Sequence, residues 1–306
     1  MPVIIAYLAV LLIWSTTPLG IIWSSESIPP SLAVLLRMII AIILGGIIIK
    51  IKHITIPWHG MAFKLYSYSA LGIFGGMMCS YLAASYLSSG IMSLVFGLSP
   101  ILSAILARKI LKEAKISAIK QVAMIIALLG LAIVCSENIT IEGNSYLGYI
   151  FILLAVFFFS LSGVLVKSVS LAIHPLATTI GSLTFSLPLF LMTWLVLDGS
   201  LNIEQWQSKS VWATLYLGVF GSLIGFYAYF YVLQKLTAST VTLITLVTPV
   251  IAITLGIFLN NEVLSASLLY GALIILLGLT CYHWGENVIA HLKNKHSTRK
   301  KINKRC

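Results

Sequence analysis

The sequence predicts an all-α integral membrane protein, with ten transmembrane helices in two inverted five-helix repeats and both termini in the cytoplasm. Three observations lead there. Hydrophobic residues make up 59% of the 306 positions and charged residues only 9%, with a mean hydropathy of +1.05. A soluble domain carries about 25% charged residues. The apolar runs come in blocks of about 20 residues, the length that crosses a bilayer as a helix. Second, Ser93 to Glu113 (SLVFGLSPILSAILARKILKE) returns as Thr242 to Glu262 (TLITLVTPVIAITLGIFLNNE), with Pro100 over Pro249 and Glu113 over Glu262 at an offset of 149. Third, the second copy replaces Arg108, Lys109 and Lys112 with Ile257, Phe258 and Asn261. Five helices per half, an odd number, turn the second half upside down, so the same helix end faces opposite sides of the membrane in the two copies.

Span 1 covers 3–23; it lacks a basic leader and an A-x-A-like cleavage site, so it reads as a retained helix. Its centre holds Trp14, Ser15, Thr16, Thr17 and Pro18. The breaker SSESIPP leads to span 2, 31–50, a continuous apolar run interrupted only by Arg37. Such a run does not alternate, which excludes a transmembrane barrel. KHITIPWHG precedes span 3, 63–85, with Gly72, Gly76, Ser80 and Tyr81. The turn Ser88-Ser89-Gly90 opens span 4, 88–109, which carries Ser99-Pro100 at its middle. Span 5 is 117–135, and SENITIEGNS separates the halves.

Span 6, 146–167, places Phe159-Ser160 over Trp14-Ser15 at an offset of 145. Span 7, 175–197, starts at Pro175, over Pro30 at the same offset; His174 before it reads as a loop residue. After LDGSLNIEQWQSKS, span 8 (210–233) repeats the glycines as Gly221 and Gly225, with Phe226, Tyr227, Tyr229 and Tyr231 beyond them. Span 9, 237–259, carries Thr248-Pro249, and NNEVLS leads to span 10, 265–285. The domains are therefore 1–136, 145–285 and a basic tail, 286–306. GxxxG lets helix backbones approach closely, and a mid-membrane proline frees a carbonyl.

Charge fixes the orientation. With the N-terminus inside, 17 of the 19 Lys and Arg fall on cytoplasmic connections, adjoining helix ends or the tail, while Lys209 alone lies in an outer loop. Six of the eight acids lie outside. The net charge of +11 is thus membrane topology rather than a nucleic-acid surface. The tail HLKNKHSTRKKINKRC is expected to lie on anionic headgroups and to be otherwise disordered. The four cysteines form no CxxC pair and the six histidines show no metal spacing, so neither a metal nor another cofactor is expected.

Other classes fit less well. Ser117 to Lys120 spells SxxK without the SDN or KTG partners of a hydrolase, and reads as an N-cap serine with a snorkelling lysine. There is no GxSxG or Walker A motif, and no ring of charge or carbonyl filter for a channel. Inverted repeats, by contrast, can open to either side by exchanging the conformations of their halves.

The chain resembles the EamA-type branch of the drug/metabolite transporter superfamily. The resemblance runs over about 3–285 and rests on Trp14, Ile28-Pro29-Pro30, Arg37, the Pro100 and Pro249 helices, and Glu113 and Glu262. Ser15 and Ile22 stand where that family often has Gly and Lys, while Lys167 stands at the equivalent place in the second repeat. The resemblance implies a ten-helix exporter of amino acids or related small metabolites in the cell membrane, with a cavity between the halves. Nucleotide sugars, lipids or drugs are the alternative cargo, and an integral membrane enzyme is the weaker alternative class.

The candidate substrate-binding residues are Trp14, Ser15, Arg37, Ser80, Tyr81, Ser99, Phe226, Tyr227, Tyr229 and Thr248. Each has a structural alternative. Arg37 lies about 9 Å of helix rise below the outer end of its span and can instead snorkel outward or cap carbonyls between helices. Gly72, Gly76, Gly221 and Gly225 are read as packing positions, Pro100 and Pro249 as bending positions, and Glu113 and Glu262 as bonding to loops. No acid lies inside a span, which points away from carboxylate-based proton coupling. The expected partners are a small-molecule substrate and the lipid bilayer, with the protein a monomer or a homodimer.

Overall fold

The fold was analysed in a computed structural model, which describes residues 2–113, 116–138, 145–169, 171, 173–236 and 244–303. All regular structure among these is helical. The helices are α1 (Val3–Ser24), α2 (Pro30–Ile51), α3 (Gly60–Ala70), α4 (Met77–Ala84), α5 (Ser89–Phe96), α6 (Ser99–Ile110) and α7 (Ala118–Asn138) in the first half. The second half holds α8 (Ser145–Lys167), α9 (Pro175–Leu197), α10 (Ser208–Tyr216), α11 (Gly225–Lys235), α12 (Ile244–Asn260) and α13 (Ala266–Asn303). Among the described residues, eight helical stretches are long and apolar enough to cross a membrane, and Val247–Asn260 is a shorter apolar helix. Large apolar side chains such as Ile4, Leu8, Ile43, Ile47, Ile125, Leu129 and Leu277 are exposed on the outer faces. Lipid is the solvent that tolerates such a surface.

Local chemistry sets the starts. Pro30 and Pro175 occupy the first helical turn, where a missing N–H costs nothing. Ser88 caps α5 by accepting from the Ile91 N–H (3.4 Å). Ser117 does the same for Lys120 at the head of α7. His174, in the connection before α9, also caps that helix: its Nδ1 accepts from the Leu176 N–H at 3.2 Å.

Three readings need correction. The stretches 63–85 and 210–233 are not uniform α-helices. Each contains a wider π-helical segment, Leu71–Gly76 and Leu217–Ile224, which overlap under the 149-residue offset. The extra residue in each turn rotates the remainder of the helix about its axis, and such bulges occur frequently at functional sites. Pro100 is not a mid-helix kink. Span 4 breaks at Gly97-Leu98, and Pro100 sits in the first turn of α6, whereas Pro249 stays inside α12. The tail is not without structure, because α13 continues to Asn303. The first residues of span 9, 237–243, and most of the linker between the halves lie outside the described residues.

The halves interlock. The first π segment and α4 pack on α8, while α1 packs on α11 and α12. A methyl on Gly76 would strike the Phe159 ring, and one on Gly72 would lie 2.5 Å from Ser162 Cβ. In the other half, Gly225 approaches Ile13 and Trp14. Phe159 and Trp14 are themselves equivalent, so each repeat places a glycine against the other's aromatic residue.

Candidate functional site

Between these helices lies a cavity of about 210 Å³. Its wall repeats under the duplication. Trp14 and Phe159 both line it, as do Pro18 and Gly163, each pair at an offset of 145. Met77 with Phe226, Ser80 with Tyr229, Phe96 with Thr245, and Ser99 with Thr248 line it at an offset of 149. These pairs account for 12 of the 19 lining residues, so both copies of the duplication contribute matched positions to the wall. Two pairs set a hydroxylated residue against an aromatic one, Ser80 against Tyr229 and Thr245 against Phe96.

The wall combines aromatic faces with hydroxyls and, among the described residues, contains no charged side chain. Trp14 and Tyr229 stand 5.1 Å apart between ring centroids, and Phe96 meets Phe159 edge-on at 5.5 Å. Some hydroxyls are already engaged. Thr17 donates to Ile13 O (2.7 Å), Ser80 to Gly76 O (2.7 Å) and Ser160 to Ser99 O (3.3 Å). Those of Ser93, Ser99, Ser103 and Thr248, all lining residues, have no partner among the described residues. They come from α5, α6 and α12, the helices that hold the duplicated segment. Such a wall fits a small amphipathic solute without net charge: rings for its apolar part, hydroxyls for its polar groups.

Six of the ten candidate binding residues line this cavity: Trp14, Ser80, Ser99, Phe226, Tyr229 and Thr248. Four do not. Ser15 is fully buried and donates to Leu11 O (2.7 Å), so it serves the backbone of its own helix. Tyr81 is buried behind Ser80, with its hydroxyl 3.4 Å from Ser24 Oγ. Tyr227 turns toward His174, with ring centroids 6.4 Å apart. Arg37 is 0% exposed, so it does not snorkel to an interface. Its Nε donates to Ser222 Oγ (2.9 Å) and its guanidinium lies 5.8 Å from the Tyr81 ring centroid. Gly221 leaves it room, since a methyl there would fall 2.7 Å from Nη2. Nη1 and Nη2 have no hydrogen-bond partner among the described residues.

Pro100 lines the cavity, and Pro249 packs under Gly97, where an added Cβ would be 3.5 Å from its Cγ. The residues not singled out from the sequence include Met92, Ser93, Ser103, Phe159, Ser160, Gly163 and Thr245. The repeat offsets carry most of the missing signal: Phe159 is the counterpart of Trp14, and Met77 of Phe226. A smaller void of about 30 Å³ shares Phe159, Gly163, Phe226 and Tyr229 with the main cavity. It reaches Ser69, Val166 and Leu233, toward the helix ends where the basic residues gather.

An apolar helical bundle whose cavity is walled by matched positions of a duplicated sequence, with no charged side chain among the described residues, fits a multi-pass membrane transporter. The chain belongs to the EamA-like transporter family, which it matches over residues 1–136 and 146–283. It is 28% identical to an uncharacterized transporter of Archaeoglobus fulgidus over 270 residues, 87% of this chain and 93% of that one. It is 26% identical to an uncharacterized transporter of Buchnera aphidicola, with 95% and 98% covered. A solved structure titled only as the crystal structure of a protein shares the fold at a TM-score of 0.67 and 16% identity, covering 90% of this chain and 94% of its own.

Proposed function

We propose that the protein is a secondary transporter of the cell membrane that moves small metabolites, amino acids or related compounds first among them, by alternating access around the central cavity. Ten membrane-crossing helices in two inverted repeats, with both termini in the cytoplasm, form the frame of this reading. The observation that carries it is the pairing of cavity residues across the duplication. A site on a pseudo-two-fold axis is contacted alike by both halves, so exchanging their conformations exposes it on the other side. The cavity wall favours a solute with no net charge and an apolar side. Lipid or nucleotide-sugar head groups are disfavoured, because an anion would find no cation among the described residues of the wall. Similarity to proteins named as transporters supports the general class.

Counterflow of a labelled amino-acid panel into liposomes bearing the purified protein, with and without a pH gradient, tests this. Saturable exchange of one chemical group is expected, unaffected by the gradient. No exchange of any amino acid by folded protein would reject that substrate class, and proton flux tracking the solute would reject gradient-independent exchange.

A further inference from the structure

One carboxylate joins the two halves at the end of the bundle that charge distribution assigns to the outside. Glu262 Oε1 accepts from the Ser89 N–H at 3.1 Å, and Oε2 from the Gly90 N–H at 3.3 Å. The Asn260 side chain donates to Oε1 as well (3.2 Å). The acceptor thus comes from the end of α12 and the backbone donors from the head of α5. The arrangement is built in rather than incidental. Asn261 takes a left-handed conformation (φ 51°), and the Glu262 N–H returns to Gly256 O at 3.1 Å, which turns the side chain back over its own helix.

Glycines make the room. A Cβ on Gly256 would strike the Glu262 carboxylate and fall 2.8 Å from Ser89 Oγ. A Cβ on Gly90 would lie 3.0 Å from Ile253 Cγ1. Nearby bonds bind the same end: Trp23 Nε1 donates to Asn260 Oδ1 (2.8 Å), Lys209 meets Glu26 at 2.6 Å, and Ser31 donates to Asp198.

Beyond this end the described residues of the two duplicated segments pack on different neighbours. α12 packs along α5, whereas α6 leans on α8. Ser99 and Ser103 on α6 and Thr248 on α12 all line the cavity. Among the described residues, the two duplicated segments are joined at the end where Glu262 sits.

We propose that the Glu262 carboxylate on the Ser89 and Gly90 amides is the latch of the outer gate, holding α5 against α12 in the inward-facing state and releasing when the cavity opens outward. The proposal rests on the alternating-access reading and assigns its gate to named atoms. Hydrogen bonds to a charged group are each worth tenfold or more in an equilibrium. Losing the latch therefore shifts the ratio of outer-open to outer-closed protein by at least about tenfold.

The test is a distance measurement between spin labels at Tyr86 and Val263, in full-length protein in lipid with its native cysteines replaced. Glu262→Ala removes the acceptor, and Gly256→Ala displaces it while leaving the carboxylate in place. Both are expected to enrich a longer distance, with Glu262→Gln intermediate. Gly46→Ala, where an added methyl meets nothing within 4 Å, is expected to match the unaltered protein. An unchanged distance distribution in Gly256→Ala and in either Glu262 variant, in protein that elutes as folded, overturns the latch. Counterflow is read separately on the same preparations. Its absence alongside a distance shift rejects amino acids as the substrate class and keeps the latch, while exchange without a distance shift does the reverse.

Discussion

Lys112 and Asn261 stand 149 positions apart and share a left-handed backbone, with φ of 54° and 51°. Each ends its helix one residue before a glutamate, so the duplication has preserved a backbone turn while exchanging the side chain that makes it. Asparagine tolerates this conformation and lysine does so poorly, at roughly 1–2 kcal/mol. Lys112→Gly should therefore raise the stability of the purified protein by about 1 kcal/mol. Asn261→Ala should lower it by a similar amount. Thermal unfolding in detergent reads both.

Arg37 presents a sharper case. Among the described residues, Ser222 is its one hydrogen-bonded side chain, and two of its nitrogens have none. Ser222→Ala removes a hydrogen bond to a buried cation and should cost about 1.5–3 kcal/mol. Arg37→Met keeps much of the volume and removes the charge, so it should be neutral or stabilising. Since Arg37 does not line the cavity, the KM for the transported solute should not move. A large rise in KM with unchanged stability would return Arg37 to the binding site.

α7 and α13 meet through glycines on both sides. An added Cβ on Gly278 would lie 2.7 Å from the Ala127 N and 2.9 Å from the Ala123 O, both backbone atoms that cannot rotate aside. Gly278→Ala should force the helices apart at about 1–3 kcal/mol. The check is loss of monodisperse protein on heating, with Gly46→Ala unaffected.

The proposed inward-facing state predicts one-sided access. Ser103→Cys, in a background without native cysteines, should react with a membrane-impermeant maleimide at least about tenfold faster in inside-out vesicles than in right-side-out ones, the factor that separates the two states by 1.4 kcal/mol. Equal rates would contradict an inward-facing state, and the opposite preference would reverse the assigned orientation.

The helical, membrane-embedded character of the fold is legible in the sequence because periodicity and charge are local properties. Pro30 and Pro175 open their helices as their positions imply, and Trp14 lines the cavity. The partner of each polar side chain is not legible. Ser15 and Ser160 are equivalent in sequence, yet Ser15 bonds within its helix while Ser160 lines the cavity and bonds to Ser99. That choice depends on which helix lies opposite, a tertiary fact. Arg37 is visible as an anomaly, but its distance from the cavity is not. The π segments leave a trace only in paired glycines, because an inserted residue alters hydrogen-bond register without altering composition. Glu262 stands out as a repeat landmark and reads as loop-bonding. Its partners lie more than 170 positions earlier, at Ser89 and Gly90.

The glycine contact between α7 and α13 also bears on how the chain is assembled. Gly130 approaches Gly271 and Ile275, and Gly278 approaches Ala127, so the last helix of the first repeat is completed by the last helix of the second. During synthesis α7 enters the bilayer well before α13 exists. For that interval its narrow face, shaped for another backbone, borders lipid or the insertion machinery. The first repeat on its own would keep that unfilled face, so the final helix acts as a closing stave that completes both halves together.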